Sequence, residues 1–155
     1  MPRRKYYCIK VVCLTCFLLF AMLTAASCSN TGKSPSSNVG SLSDFCDSRT
    51  KDFLLGETLP ELLRYYRDHE TAERYEEHDK AQIQAVMKAL AAIEVTGETD
   101  TRFSDYEDTF VFVTSEGAEY TFSFNGRRFI TGDFVYELEN DKALWELAES
   151  ISADE

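Results

Sequence analysis

Basic residues are scarce in this chain, with 16 Lys and Arg against 27 Asp and Glu in 155 residues, a formal net charge of −11. Nucleic-acid affinity rests on neutralising phosphates with Lys and Arg, so the deficit excludes nucleic acid as a partner. A charged partner would be basic or a cation, and a solvated acidic surface is the plainer explanation of the charge. Histidine is scarcer still. His69 and His78 are the only two, and both fall in one polar segment. A serine–histidine hydrolytic pair therefore has little motif to build on. No G-x-S-x-G, Walker A or G-x-G-x-x-G stretch appears, and there is no internal repeat. The sequence thus assigns no catalytic residue, no cofactor and no metal ligand.

Long apolar runs are also missing, apart from one near the start. Arg3, Arg4, Lys5 and Lys10 flank the approach to an apolar run from Val11 to Leu23, and Thr24, Ala25, Ala26 and Ser27 lead from it to Cys28. A basic start, a short apolar segment and a small-residue exit predict a secretory signal peptide over residues 1–27. The run is 13 residues long, roughly 20 Å as a helix and short of a ~30 Å hydrocarbon core. Counted on to Cys28 it reaches 18 residues, so an uncleaved transmembrane anchor is an alternative. A second alternative is an ordinary secretory leader with an incidental cysteine.

The stretch "TAASC", Thr24 to Cys28, resembles the lipobox of bacterial prolipoproteins. Ala25 stands where that family usually has Leu. In that family a diacylglyceryl group is added to the cysteine thiol, and a dedicated peptidase cleaves just before it. The resemblance implies that Cys28 is the lipid-attachment residue and the first residue of the mature protein. It further implies a lipid-anchored location on the extracytoplasmic face of a cell membrane. One acyl chain binds a bilayer only marginally, at about 0.8 kcal/mol per buried CH₂, whereas two or three on one residue make attachment effectively permanent.

Loss of the leader sharpens the composition. The four basic residues before Cys28 leave with it, so 12 Lys and Arg then face 27 Asp and Glu, a net charge of −15. Such a domain is repelled by anionic headgroups except where its anchor holds it. Cys8, Cys13 and Cys16 leave too. With Cys28 acylated, Cys46 has no partner for an intrachain disulfide, and no histidine lies near it in sequence, so a passive role is expected. Ser29–Asp44, rich in Ser, Gly and Asn, reads as a lipidated tether over 28–44. Residues 45–155 are then one small domain.

Within that domain the expected fold is α+β: N-terminal helices, a four-stranded antiparallel meander, and a C-terminal helix packed on the sheet. "TLPELLRYYRDHE" places Leu59, Leu62, Leu63 and Tyr66 at helical spacing behind Thr58 and Pro60. "TAERYEEH" fits either an extension of that helix or a short polar edge strand. "DKAQIQAVMKALAAIEV" predicts a helix with an Asp79–Gln82 capping box and Ile83, Val86, Met87, Leu90 and Ile93 inward, ending by Gly97. The period then falls to two. Four strands are expected between Asp108 and Leu138, with "FVFV" central and Asn125-Gly126 forming a type I′ turn. The last helix should start near Asn140 and face Leu144, Leu147, Ala148 and Ile151 inward.

Four groups could carry chemistry. "HETAERYEEH" begins like a zincin motif, but Glu73 stands where the second imidazole is needed, which leaves only His69, Glu73 and a distant group. Asp100, Asp105, Glu107 and Asp108 offer clustered oxygens to calcium without EF-hand spacing. Arg127 and Arg128 after the Asn-Gly turn could read an acid group or keep a hairpin soluble. Trp145 fits core or rim better than a ligand platform. Together these features point to a membrane-anchored lipoprotein whose acidic domain binds or supports another envelope component. The alternatives are an exported carboxylate-dependent hydrolase and a weak divalent-metal module.

Overall fold

The computed structural model describes residues 38–68, 72–103 and 106–153. Those residues belong to one folded unit. Cys28 and the expected leader lie outside them. Eight strands run β1 (Gly40–Ser41), β2 (Leu62–Asp68), β3 (Ala72–Glu77), β4 (Glu94–Glu98), β5 (Glu107–Val113), β6 (Glu119–Asn125), β7 (Arg128–Thr131) and β8 (Phe134–Glu139). Three α-helices accompany them: α1 (Ser48–Leu55), α2 (Lys80–Ala91) and α3 (Lys142–Ala153). All strands join one antiparallel sheet in the order β1-β4-β8-β7-β6-β5-β2-β3.

Strand alternation decides the two faces. Leu63 and Tyr65, Phe110 and Phe112, Phe122 and Phe124, with Phe129 and Tyr136, form one apolar face and are all at most 8% exposed. The helices cover it. Phe53 of α1 stacks on Tyr120, with centroids 3.9 Å apart, and Trp145 of α3 meets Phe124 edge-on at 5.4 Å. Helix α2 supplies Ile83, Val86 and Leu90, each fully buried.

Two connections cross the sheet. Helix α2 carries the chain from the β3 edge across the apolar face to β4, near the other edge. The β4–β5 connection returns across the opposite face. Its Thr99 amide donates to the Val135 carbonyl at 2.9 Å, Arg102 reaches the Asp133 carbonyl at 2.8 Å, and Phe103 packs by the β6–β7 turn. Val135, only 2% exposed, lies on that side.

This arrangement overturns the expected four-stranded meander behind N-terminal helices. The described residues form a strand-rich α+β domain with three helices on an eight-stranded sheet. The segment expected as a helix from Thr58 is largely β2, because Leu63 and Tyr65 alternate inward and all seven strand residues pair with β5. The apolar spacing satisfied both periods, and β5 needed a neighbour on its second side. "TAERYEE" pairs with β2 as the edge strand β3, the second of its two expected forms.

Strand β5 is central, but only Phe110 and Phe112 are fully buried; Val111 and Val113 are half-buried. Helix α2 forms as expected and is capped by Asp79, which accepts from the Ala81 amide at 2.7 Å. Glu77 rather than Gln82 closes that cap, accepting from the Asp79 amide at 2.6 Å. Gly97 sits at an irregularity in β4 rather than at the helix exit. Asn125 pairs with Arg128, so the β6–β7 turn is Gly126-Arg127 and not Asn125-Gly126. Strand β1 and a 3-10 turn over Leu42–Phe45 occupy the end of the expected tether. Leu42 is fully buried, and its amide donates to the Ile93 carbonyl at 3.0 Å.

Candidate functional site

A cleft of about 320 Å³ opens where α3 crosses the ends of β2 and β5 beside the β6–β7 turn. Alternation on β2 sends Tyr65 and Arg67 to the helix side, and β5 sends Asp108 there, directly across the ladder from Arg67. The turn contributes Gly126 and Arg127. Helix α3 contributes Trp145, Ala148, Glu149 and Ser152 from one side of its cylinder, and Tyr106 also lines the cleft.

The floor is polar and fixed. The Tyr65 hydroxyl donates to Asp108 Oδ1 at 2.5 Å, and the two residues are only 4% and 5% exposed. A buried carboxylate is tolerable only when its oxygens find donors, and a phenol held this close is one. Burial, followed by the hydrogen bond and charge of Asp108, pushes the Tyr65 hydroxyl far above the usual tyrosine range. Tyr65 also stacks on Phe110 at 4.8 Å, which ties the floor to the core.

The wall is aromatic and cationic. Trp145 is held by its own helix cap, its indole N–H donating to Asp141 Oδ2 at 2.6 Å. The Arg127 guanidinium lies over the Trp145 ring, 5.5 Å from its centroid. Arg127 occupies the left-handed region at φ 65°, a conformation that costs a side-chain-bearing residue roughly 1 kcal/mol or more. An arginine over indole recovers about 0.5–1 kcal/mol at an exposed site.

No protein-family model, curated protein or solved structure matches this chain. Among the described residues no helix is long and apolar enough to cross a membrane.

The residues singled out in the sequence scatter. His69 and Asp105 lie outside the described residues, as does Cys28, the expected acylation site. Glu73 is near the start of β3 and His78 follows its end, so the strand separates them. Glu107 and Asp108 alternate to opposite faces of β5, and Asp108 alone enters the cleft. Among the described residues no three His, Cys, Asp or Glu side chains gather into a metal-binding group.

The neighbouring arginines also part. Arg127 enters the cleft, whereas Arg128 bonds Glu137, Nε to Oε1 at 2.7 Å, and lies over Phe103 at 5.0 Å. Trp145 is 6% exposed, a core residue with one edge on the cleft. Cys46 is half-buried, its thiol directed at the Leu42 carbonyl 3.5 Å away, and burial pushes its pKa up to about 11. That protonated thiol is a poor nucleophile. Tyr65, Arg67 and Glu149 carried no sequence signal, because strand register and helix placement alone bring them together.

Proposed function

We propose that this protein is a non-enzymatic lipoprotein, anchored through Cys28 on the extracytoplasmic face of a bacterial membrane, whose acidic domain binds another envelope component in the α3 cleft. One observation carries the binding role: the cleft is preformed, with a hydrogen-bonded polar floor at Tyr65 and Asp108 and an aromatic wall at Trp145. Concave sites with a few convergent polar groups are where small ligands and chain ends are held. The leader and the "TAASC" seam support the address. Replacing Cys28 with Ala should release the protein from membranes washed in carbonate, and retention in the pellet would refute the lipid anchor. Cross-linking and pull-down of the wild-type protein from detergent extracts tests for the partner.

A second reading has one observation in its favour. Asp108 and Glu149 line the same cleft, as a carboxylate-dependent hydrolase requires. Asp108, however, gives an oxygen to Tyr65 and is almost wholly buried, which suits a structural anchor better than a proton carrier. Hydrolysis of a glycan or peptide substrate that is lost in Glu149→Gln would favour the enzyme.

A further inference from the structure

We propose that the α3 cleft is an oxyanion site in which Arg127 grips a carboxylate or phosphate carried on a flat apolar body. The proposal rests on the cleft being a binding site and adds the class of its ligand. The first support is the backbone of the β6–β7 turn. Both of its central residues, Gly126 and Arg127, have positive φ, at 55° and 65°. Such turns favour Gly, Asn or Asp at both places, so an arginine at the second is locally unfavourable. Strain of this kind points from an observed outlier toward function.

The second support is what the guanidinium does. The guanidinium carbon lies 5.5 Å from the centroid of the Trp145 ring, and among the described residues the group makes no ion pair and no hydrogen bond. A guanidinium packed against an aromatic ring keeps N–H donors for a planar acid, which arginine can grip through two at once where lysine cannot. Arg67 brings a second cation to the same cleft from β2. The acids nearby oppose this less than their number suggests. Asp108 is buried behind the Tyr65 hydroxyl, and Glu149 lies on an exposed part of α3. The remaining acidic charge of the domain is screened beyond about 8 Å at physiological ionic strength. Trp145 and Ala148 form the apolar side against which a flat ligand body would rest. The volume, near 320 Å³, lies at the small end for ligand pockets.

Trp145 is the only tryptophan in the chain, so its fluorescence reports on this cleft alone. The full mature protein in detergent should be titrated with benzoate, phenyl phosphate, benzamide and benzylamine, with melting followed in parallel. The expected result is a saturable change with benzoate or phenyl phosphate, whichever acid the site prefers, accompanied by a higher melting temperature. Neither benzamide nor benzylamine should match it. Arg127→Gly suits the turn, so it should melt at or above the parent while binding the acid about ten- to a hundredfold more weakly. Arg127→Lys should recover part of the loss. Equal binding of benzamide, preference for benzylamine, or undiminished acid binding by Arg127→Gly would overturn the oxyanion class while leaving a binding cleft. If none of the four saturates or shifts melting, both the ligand class and the binding role of the cleft fall.

Discussion

Asp108 holds one carboxylate oxygen 2.5 Å from the Tyr65 hydroxyl in a nearly closed environment. Tyr65→Phe removes that donor and should cost about 1–3 kcal/mol, because a buried carboxylate loses a short hydrogen bond. Urea denaturation will show it, and a double-mutant cycle with Asp108→Ala isolates the pair. Alkali should act on the same core. The Cys46 thiol titrates at about 11 in the native state against an ordinary 9.0, so the native state binds its proton more tightly than the unfolded chain. Its contribution is complete below about pH 9 and is lost as pH rises through about 11. Tyr65, also raised by burial and by Asp108, adds to the decline above pH 10. Denaturation midpoints should therefore fall from pH 9 to pH 11, and Cys46→Ala should flatten the lower part of that fall. A thiol reagent at pH 8 should label Cys46 slowly until urea is added.

At the scale of elements, Asn125 explains why the hairpin turn sits one residue later than the Asn-Gly pair suggests. Its Oδ1 accepts the Phe103 amide at 2.6 Å, while its Nδ2 donates to the carbonyls of Phe103 and Tyr106. It therefore stays in β6 opposite Arg128, and Gly126-Arg127 form the turn. Asn125→Ala should cost about 1–3 kcal/mol and speed amide exchange in residues 99–103, which hydrogen-exchange mass spectrometry resolves. The same element shows what local sequence can reveal. Helix α2, with strong periodicity and its Asp79 cap, was legible, as were the alternating Phe and Tyr of β5 and β6. Strand β2 was not, because Leu59, Leu62, Leu63 and Tyr66 also fit a helix and only pairing with β3 and β5 decides. The cleft was legible only as separate pieces. Trp145 and Arg127 stood out singly, but Arg67 faces Asp108 through a register that no local pattern encodes.

For the whole molecule, the folded unit begins ahead of Phe45, where composition alone would start it, since Gly40 pairs with Val95 and Leu42 is sealed in the core. A fragment starting at Ser37 should melt with the full chain. One starting at Phe45 loses β1 and Leu42 and should be weaker by about 2–5 kcal/mol, the range for emptying a buried leucine site, as urea titration of the two fragments will show. The sheet also ends in two unlike margins. On one side β1 is only two residues long; on the other, β3 carries Glu73, Glu76 and Glu77 along with Arg74. Short or charged margins resist pairing with a neighbouring strand. Copies of the domain held close together would thus meet shoulder to shoulder without zipping into aggregates, so crowding and a discrete fold are compatible here.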